Sequence, residues 1–129
     1  MPRFTSVIVS IVALAAFSGM AGAAGKKHPH AWAWCMSKEK ALLDQQITGC
    51  TMLIRVAMNK PKKRSLGLLF YNRGVAYHRK GQYDLAVADY DQAVGFGYSK
   101  ALYNRSLAKE KLNDKDGAAA DFAAFKNSR

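Results

Sequence analysis

The chain has 129 residues, half of them apolar, with 20 Lys and Arg against nine Asp and Glu and a formal net charge of +11. That length holds one small domain and excludes a large multidomain enzyme, and six Tyr with six Phe supply aromatic mass for a core. Two cysteines make a single bridge at most, so a disulfide-dense miniprotein is excluded as well.

The chain opens with a positive start over Met1–Arg3, an apolar run from Val7 to Phe17 and small residues from Met20 to Gly25. That order predicts a secretory signal peptide over residues 1–24 with an A-x-A cleavage site; the apolar run is short for a membrane anchor. No cysteine follows the cut directly, so a lipid anchor of the bacterial lipoprotein kind is not expected. Cleavage removes Arg3 and leaves 19 basic and nine acidic residues, a mature charge of +10. The expected location is therefore periplasmic or secreted, with no nucleic acid among the partners.

Residues 25–36 read as a basic, aromatic arm, K-K-H-P-H-A-W-A-W over Lys26–Trp34, without an apolar period. His28 and His30 lack the four-ligand spacing of a zinc site, so no metal is expected; Trp32 and Trp34 are expected to pack on the first helix. Cys35 and Cys50 are expected to form a disulfide that closes a loop of about 15 residues. Two separate thiols, with Cys50 on a helix face, are the alternative. From residue 37 to 129 helical spacing dominates. Leu43, Ile47, Cys50, Ile54, Ala57 and Met58 make one apolar face of a helix, over a capping unit at 37–59. The stretch from Asn59 to Ser65 holds Pro61 and four basic residues and reads as a solvated loop.

An internal repeat follows. Phe70–Ala76 aligns with Leu102–Ala108, and Ala86–Tyr90 with Ala118–Phe122, at an offset of 32 residues. Such a period signals stacked helical hairpins. In the first hairpin, residues 66–98, Leu66, Phe70, Gly74 and Tyr77 keep helical spacing, Gly81 makes the turn, and Tyr83, Ala86, Val87, Tyr90 and Ala93 resume it. Gly74 and Ala86 allow close approach of the two helices, and the tyrosines fill the space around them. Gly95–Gly97 ends the second helix, Ser99 is a candidate N-cap, and a helix over Lys100–Leu112 opens the second hairpin, residues 99–126.

Gly74, Tyr77, Gly81, Tyr83, Ala86, Tyr90 and Ala93 together resemble the signature of a tetratricopeptide repeat, and Y-N-R-G…G-Q-Y-D-x-A-x-A-D-Y resembles repeats of short exported bacterial proteins. The second copy departs from the pattern with Ser106, Lys109, Asn113, Lys115 and Phe125, while Asp44–Cys50 can be set on Asp84–Tyr90 as half of a preceding repeat. The expected fold is all-α, an α-solenoid of about two and a half repeats in stacked antiparallel hairpins. A short array leaves Phe122 and Phe125 near an end; they are either buried inside the last hairpin or covered by the arm or by a second copy.

The acidic residues read as scattered, mostly on polar helix faces beside lysines, and no catalytic motif is present, so no enzyme activity and no cofactor are expected. The resemblance implies a protein or peptide partner held in the concave groove of the first helices. By repeat position this groove comprises Leu68, Tyr71, Asn72, Val75, His78 and Arg79, with Tyr103, Asn104, Leu107, Glu110 and Lys111. Asn72 and Asn104 are candidates for hydrogen bonds to a peptide backbone, or else for contacts between repeats. Val75 follows the glycine where a carboxylate clamp of the family carries Asn, so that clamp is not expected. The alternative function is electrostatic: Lys60–Pro61–Lys62–Lys63–Arg64 docking an acidic protein, anionic lipid or anionic envelope polymer.

Overall fold

The structure is a computed structural model and describes residues 29–60 and 65–129. The expected signal segment, His28 and Pro61–Arg64 of the basic loop lie outside the described residues. Helices α1 (Ala31–Cys35), α2 (Leu43–Met58), α3 (Leu66–Arg79), α4 (Tyr83–Gly95), α5 (Lys100–Lys111) and α6 (Lys115–Asn127) follow in order, with one 3-10 turn at Lys40–Leu42 before α2. No strand occurs among the described residues. Each helix packs on its neighbour in sequence, so the fold is a solenoid of helical hairpins.

The α3–α4 hairpin closes on a residue that only glycine can supply. A Cβ on Gly74 would stand 2.7 Å from Tyr90 Cε1, so the bare backbone of α3 is what admits the fully buried Tyr90 ring. The turn runs through Gly81 at φ +76°, with the Gln82 amide bonded back to the Tyr77 carbonyl at 2.9 Å. In the second hairpin Asn113 takes the same conformation at φ +63°, and the Asp114 amide donates to the Lys109 carbonyl at 2.9 Å. Asn tolerates left-handed backbone better than other side chains, which is why a helical hairpin survives the loss of glycine there. Asp114 then caps α6 by accepting from the Gly117 amide at 2.9 Å. Ser99, by contrast, makes no side-chain capping bond on α5.

The arm read without structure contains α1. A single helical turn has little intrinsic stability, and here α2 holds it. Cys35 is bonded to Cys50, with Cα atoms 4.6 Å apart, a link worth on the order of 3 kcal/mol for a loop of this size. A Cβ on Gly49 would lie 2.6 Å from the Ala31 carbonyl oxygen, so α1 sits on bare backbone of α2. Trp34 packs there, whereas Trp32 points outward at 55% exposure, contrary to the expectation for both rings. Buried Gln46 donates to the carbonyls of Cys35 and Asn72 and ties α1, α2 and α3 together. Met58, expected on the apolar face of α2, is exposed at the helix end. No helix among the described residues is long and apolar enough to cross a membrane.

Candidate interaction surface

Two arginines join the layers of the stack. Arg73 of α3 forks onto Asp89 of α4, Nε to Oδ2 at 2.8 Å and Nη2 to Oδ1 at 2.7 Å, while its Nη1 reaches the Thr51 hydroxyl of α2 at 3.0 Å. Arg105 of α5 repeats the arrangement one unit later: it holds Asp121 of α6 with Nε and Nη2, and its Nη1 bonds Asp91 of α4 at 2.6 Å. Each guanidinium thus closes its own hairpin and binds the previous one, a use of the planar fork that an ammonium cannot match. Asp89 and Asp121 are buried, so these two carboxylates are structural partners and not residues of a solvated helix face. The signal was present in the sequence, since Arg and Asp stand 16 residues apart in both copies.

The two pairs differ electrostatically. Burial pushes the Asp89 carboxyl up and Arg73, its one cationic partner, offsets this only in part. At Asp121 burial acts in the same sense, but hydrogen bonds from Arg105 and Lys109 outweigh it and hold the carboxyl below its ordinary value. In both pairs the bidentate guanidinium favours the ionised carboxylate.

Of the nominated groove residues, those of the first hairpin are largely engaged within the chain. The Tyr71 ring lies 4.9 Å from Tyr98 and 6.1 Å from Tyr90, and its hydroxyl accepts from the Asn104 amide at 3.0 Å. The Asn72 amide contacts Met36 Sδ at 3.2 Å, Arg79 donates to the Lys38 carbonyl at 2.9 Å, and Val75 packs against the core. Both asparagines therefore make contacts between layers. His78 meets Tyr83 edge-on at 5.1 Å; burial first, and then the charge of Lys111, lowers its pKa.

The second hairpin is open at the same positions. Tyr103, 41% exposed, stands 6.2 Å from Phe122 and 5.5 Å from Phe125. Phe122 is itself 45% exposed, so the last hairpin does not bury both rings. On one side of Tyr103 a cleft of about 380 Å³ is lined by Tyr71, Lys100, Asn104, Phe125 and Arg129. On the other side, Leu107, Glu110, Lys115, Ala119 and Phe122 line a cleft of about 330 Å³. Lys100, Lys115, Phe125 and Arg129 lie outside the set that repeat position picks out, because repeat position does not reveal on which hairpin no further helix packs among the described residues. No group of three or more His, Cys, Asp or Glu able to hold a metal occurs among the described residues.

The tetratricopeptide repeat family model matches residues 68–95, which span most of α3, the Gly81 turn and all of α4. No curated protein and no solved structure matches the chain.

Proposed function

We propose that this tetratricopeptide-repeat protein is an interaction module that holds an extended segment of a partner along α3 and α5, with no chemical step of its own. A tetratricopeptide repeat is a module for protein–protein interaction. The observation that carries the finer reading is the cleft that gathers Tyr71, Tyr103 and Asn104 between two cationic side chains, Lys100 and Arg129. Tyr103 offers a half-exposed ring for apolar contact, and the cations suit carboxylates of the bound segment. Lys111 extends the surface along α5, while Asn72 and Asn104 act mainly by fixing the layers that shape it. The signal-like residues 1–24 support export to the periplasm or the exterior, and N-terminal sequencing of the mature protein tests that part.

A peptide-display selection on the mature protein, followed by calorimetry, tests the binding. Tyr103→Ala and Lys100→Glu are each expected to weaken binding about tenfold, or ~1.4 kcal/mol, with the melting temperature little changed. Unchanged affinity in both, with loss of binding in Lys62→Glu/Lys63→Glu, transfers the function to the basic Lys60–Arg64 loop.

A further inference from the structure

We infer that the cleft between α5 and α6 is the seat of a helix from a protein partner, one that faces inward with small side chains seven residues apart and carries acidic residues on its flanks. This is a second interface, on the opposite side of Tyr103 from the concave cleft.

The template lies within the chain. Moving back 32 residues from Tyr103, Leu107, Lys115, Ala119 and Phe122 gives Tyr71, Val75, Tyr83, Val87 and Tyr90, all at least partly buried in the core on which α5 packs. There α5 places Ala101 and Ala108, seven residues apart and fully buried, in the core and bonds Tyr71 through Asn104. The ring pairs that floor the two grooves have the same geometry: Tyr71 and Tyr90 at 6.1 Å and 44°, Tyr103 and Phe122 at 6.2 Å and 49°. Tyr90 is nevertheless 0% exposed and Phe122 45%. The second groove thus has the form of a helix seat in which no helix lies among the described residues.

Charge selects the occupant. In the occupied groove α5 is anchored by Arg105 on Asp91 of α4, and the equivalent of Asp91 on α6 is Ala123. A helix carrying the chain's own arginine therefore finds no acid at the position that receives it in the first groove. Lys115 replaces Tyr83 in the lining, Lys126 Nζ stands 5.8 Å from the Phe122 ring centre, and Glu110 is the one acid in the cleft wall. The overall charge of +11 also opposes a second copy on this face. An acidic helix meets complementary charge on its flanks and an apolar floor beneath its small residues.

The probe is a synthetic peptide of residues 99–112 carrying Arg105→Glu, Lys109→Glu and Lys111→Glu, with its two alanines retained; the unsubstituted peptide is the comparison. Fluorescence anisotropy with the full mature chain is expected to show saturable binding of the acidic peptide, at least tenfold tighter than the basic one. Phe122→Glu and, separately, Ala119→Arg should each weaken binding tenfold or more with helical circular dichroism retained, whereas Lys100→Glu should leave it within about twofold. Absence of binding, equal binding of the two peptides, or loss in Lys100→Glu alone overturns the proposal; the last outcome moves the peptide to the concave cleft. Sedimentation that shows a dimer of the native chain dissolved by Phe122→Glu also overturns it, in favour of a second copy.

Discussion

The first and second hairpins share one plan and have opposite fates. Both carry the Arg–Asp fork, a left-handed turn residue and a tilted pair of aromatic rings, yet Tyr90 is sealed under α5 while Phe122 faces outward. Identical local chemistry is core in one place and surface in the other because a repeat contacts only its neighbours. Stability should therefore be concentrated in the first hairpin and at its junctions with α2 and α5, and binding in the second.

The largest difference is expected at the ring pair. Tyr90→Ala should destabilise by about 3–5 kcal/mol, because it empties a fully enclosed site beside Gly74 that cannot collapse without moving α3. Phe122→Ala should cost about 1 kcal/mol, since much of that ring is already in water. Urea denaturation of both variants measures the contrast, and equal costs would show that α6 is covered in solution as α4 is.

The Arg–Asp forks come next. Asp89→Ala leaves Arg73 partly buried with the Thr51 hydroxyl as its remaining hydrogen-bond acceptor and should cost about 3–5 kcal/mol. Asp121→Ala leaves Arg105 on Asp91, and the loss should be nearer 1.5–3 kcal/mol. The sign of the acid dependence follows from Asp121. Its folded pKa lies below the unfolded one, so its contribution is complete above the unfolded carboxylate value, near pH 4, and is lost as pH falls through the depressed value. Asp121→Asn should flatten the acid limb of the stability profile.

These forks also mark where sequence reading ended. Gly74, Gly81 and the tyrosine spacing made the first hairpin legible, because close approach, a left-handed turn and helical period each demand particular residue types. Asp89 and Asp121 do not stand out in the sequence, since an aspartate on a helix reads as solvated until the arginine that neutralises it is placed opposite. Helix α1 is not legible in the sequence because five residues carry no period, and what holds them is the link to Cys50 and the flat face at Gly49. The nominated groove residues lie on α3 and α5, where repeat position puts them. Repeat position did not reveal that α5 and the segment around Met36 and Lys38 would engage the first set and leave the second open.

A smaller effect is expected at the turns. Gly81→Ala forces a β-carbon into left-handed backbone and should cost about 1 kcal/mol, with no steric clash to add to it. Asn113→Gly should stabilise by about 0.5–1 kcal/mol, because glycine carries no side chain to strain at φ +63°. Thermal melting of the two variants should move in opposite directions. If both fall, the Asn113 side chain contributes more to its turn than backbone conformation explains.

The smallest effect reports most directly on whether α5 occupies the first groove. His78 and Glu110 hold equivalent positions, one facing α5 and the other the open cleft. Burial lowers the His78 pKa and the Lys111 charge lowers it further, so the neutral ring is favoured in the folded chain. This contribution is complete above the ordinary histidine value and is lost as pH falls through the depressed one. Lys111→Ala should raise the His78 midpoint, followed by NMR of the imidazole protons, but leave it below the ordinary value because burial remains. Glu110→His places an imidazole in the open groove, where no helix desolvates it, and its midpoint should lie above that of His78. Addition of the acidic helical peptide should then raise the new midpoint further, as carboxylates approach the ring, and leave His78 unmoved. A His78 midpoint indifferent to Lys111→Ala would mean that α5 does not lie across α3 in solution, and the distinction between an occupied and an open groove would fall with it.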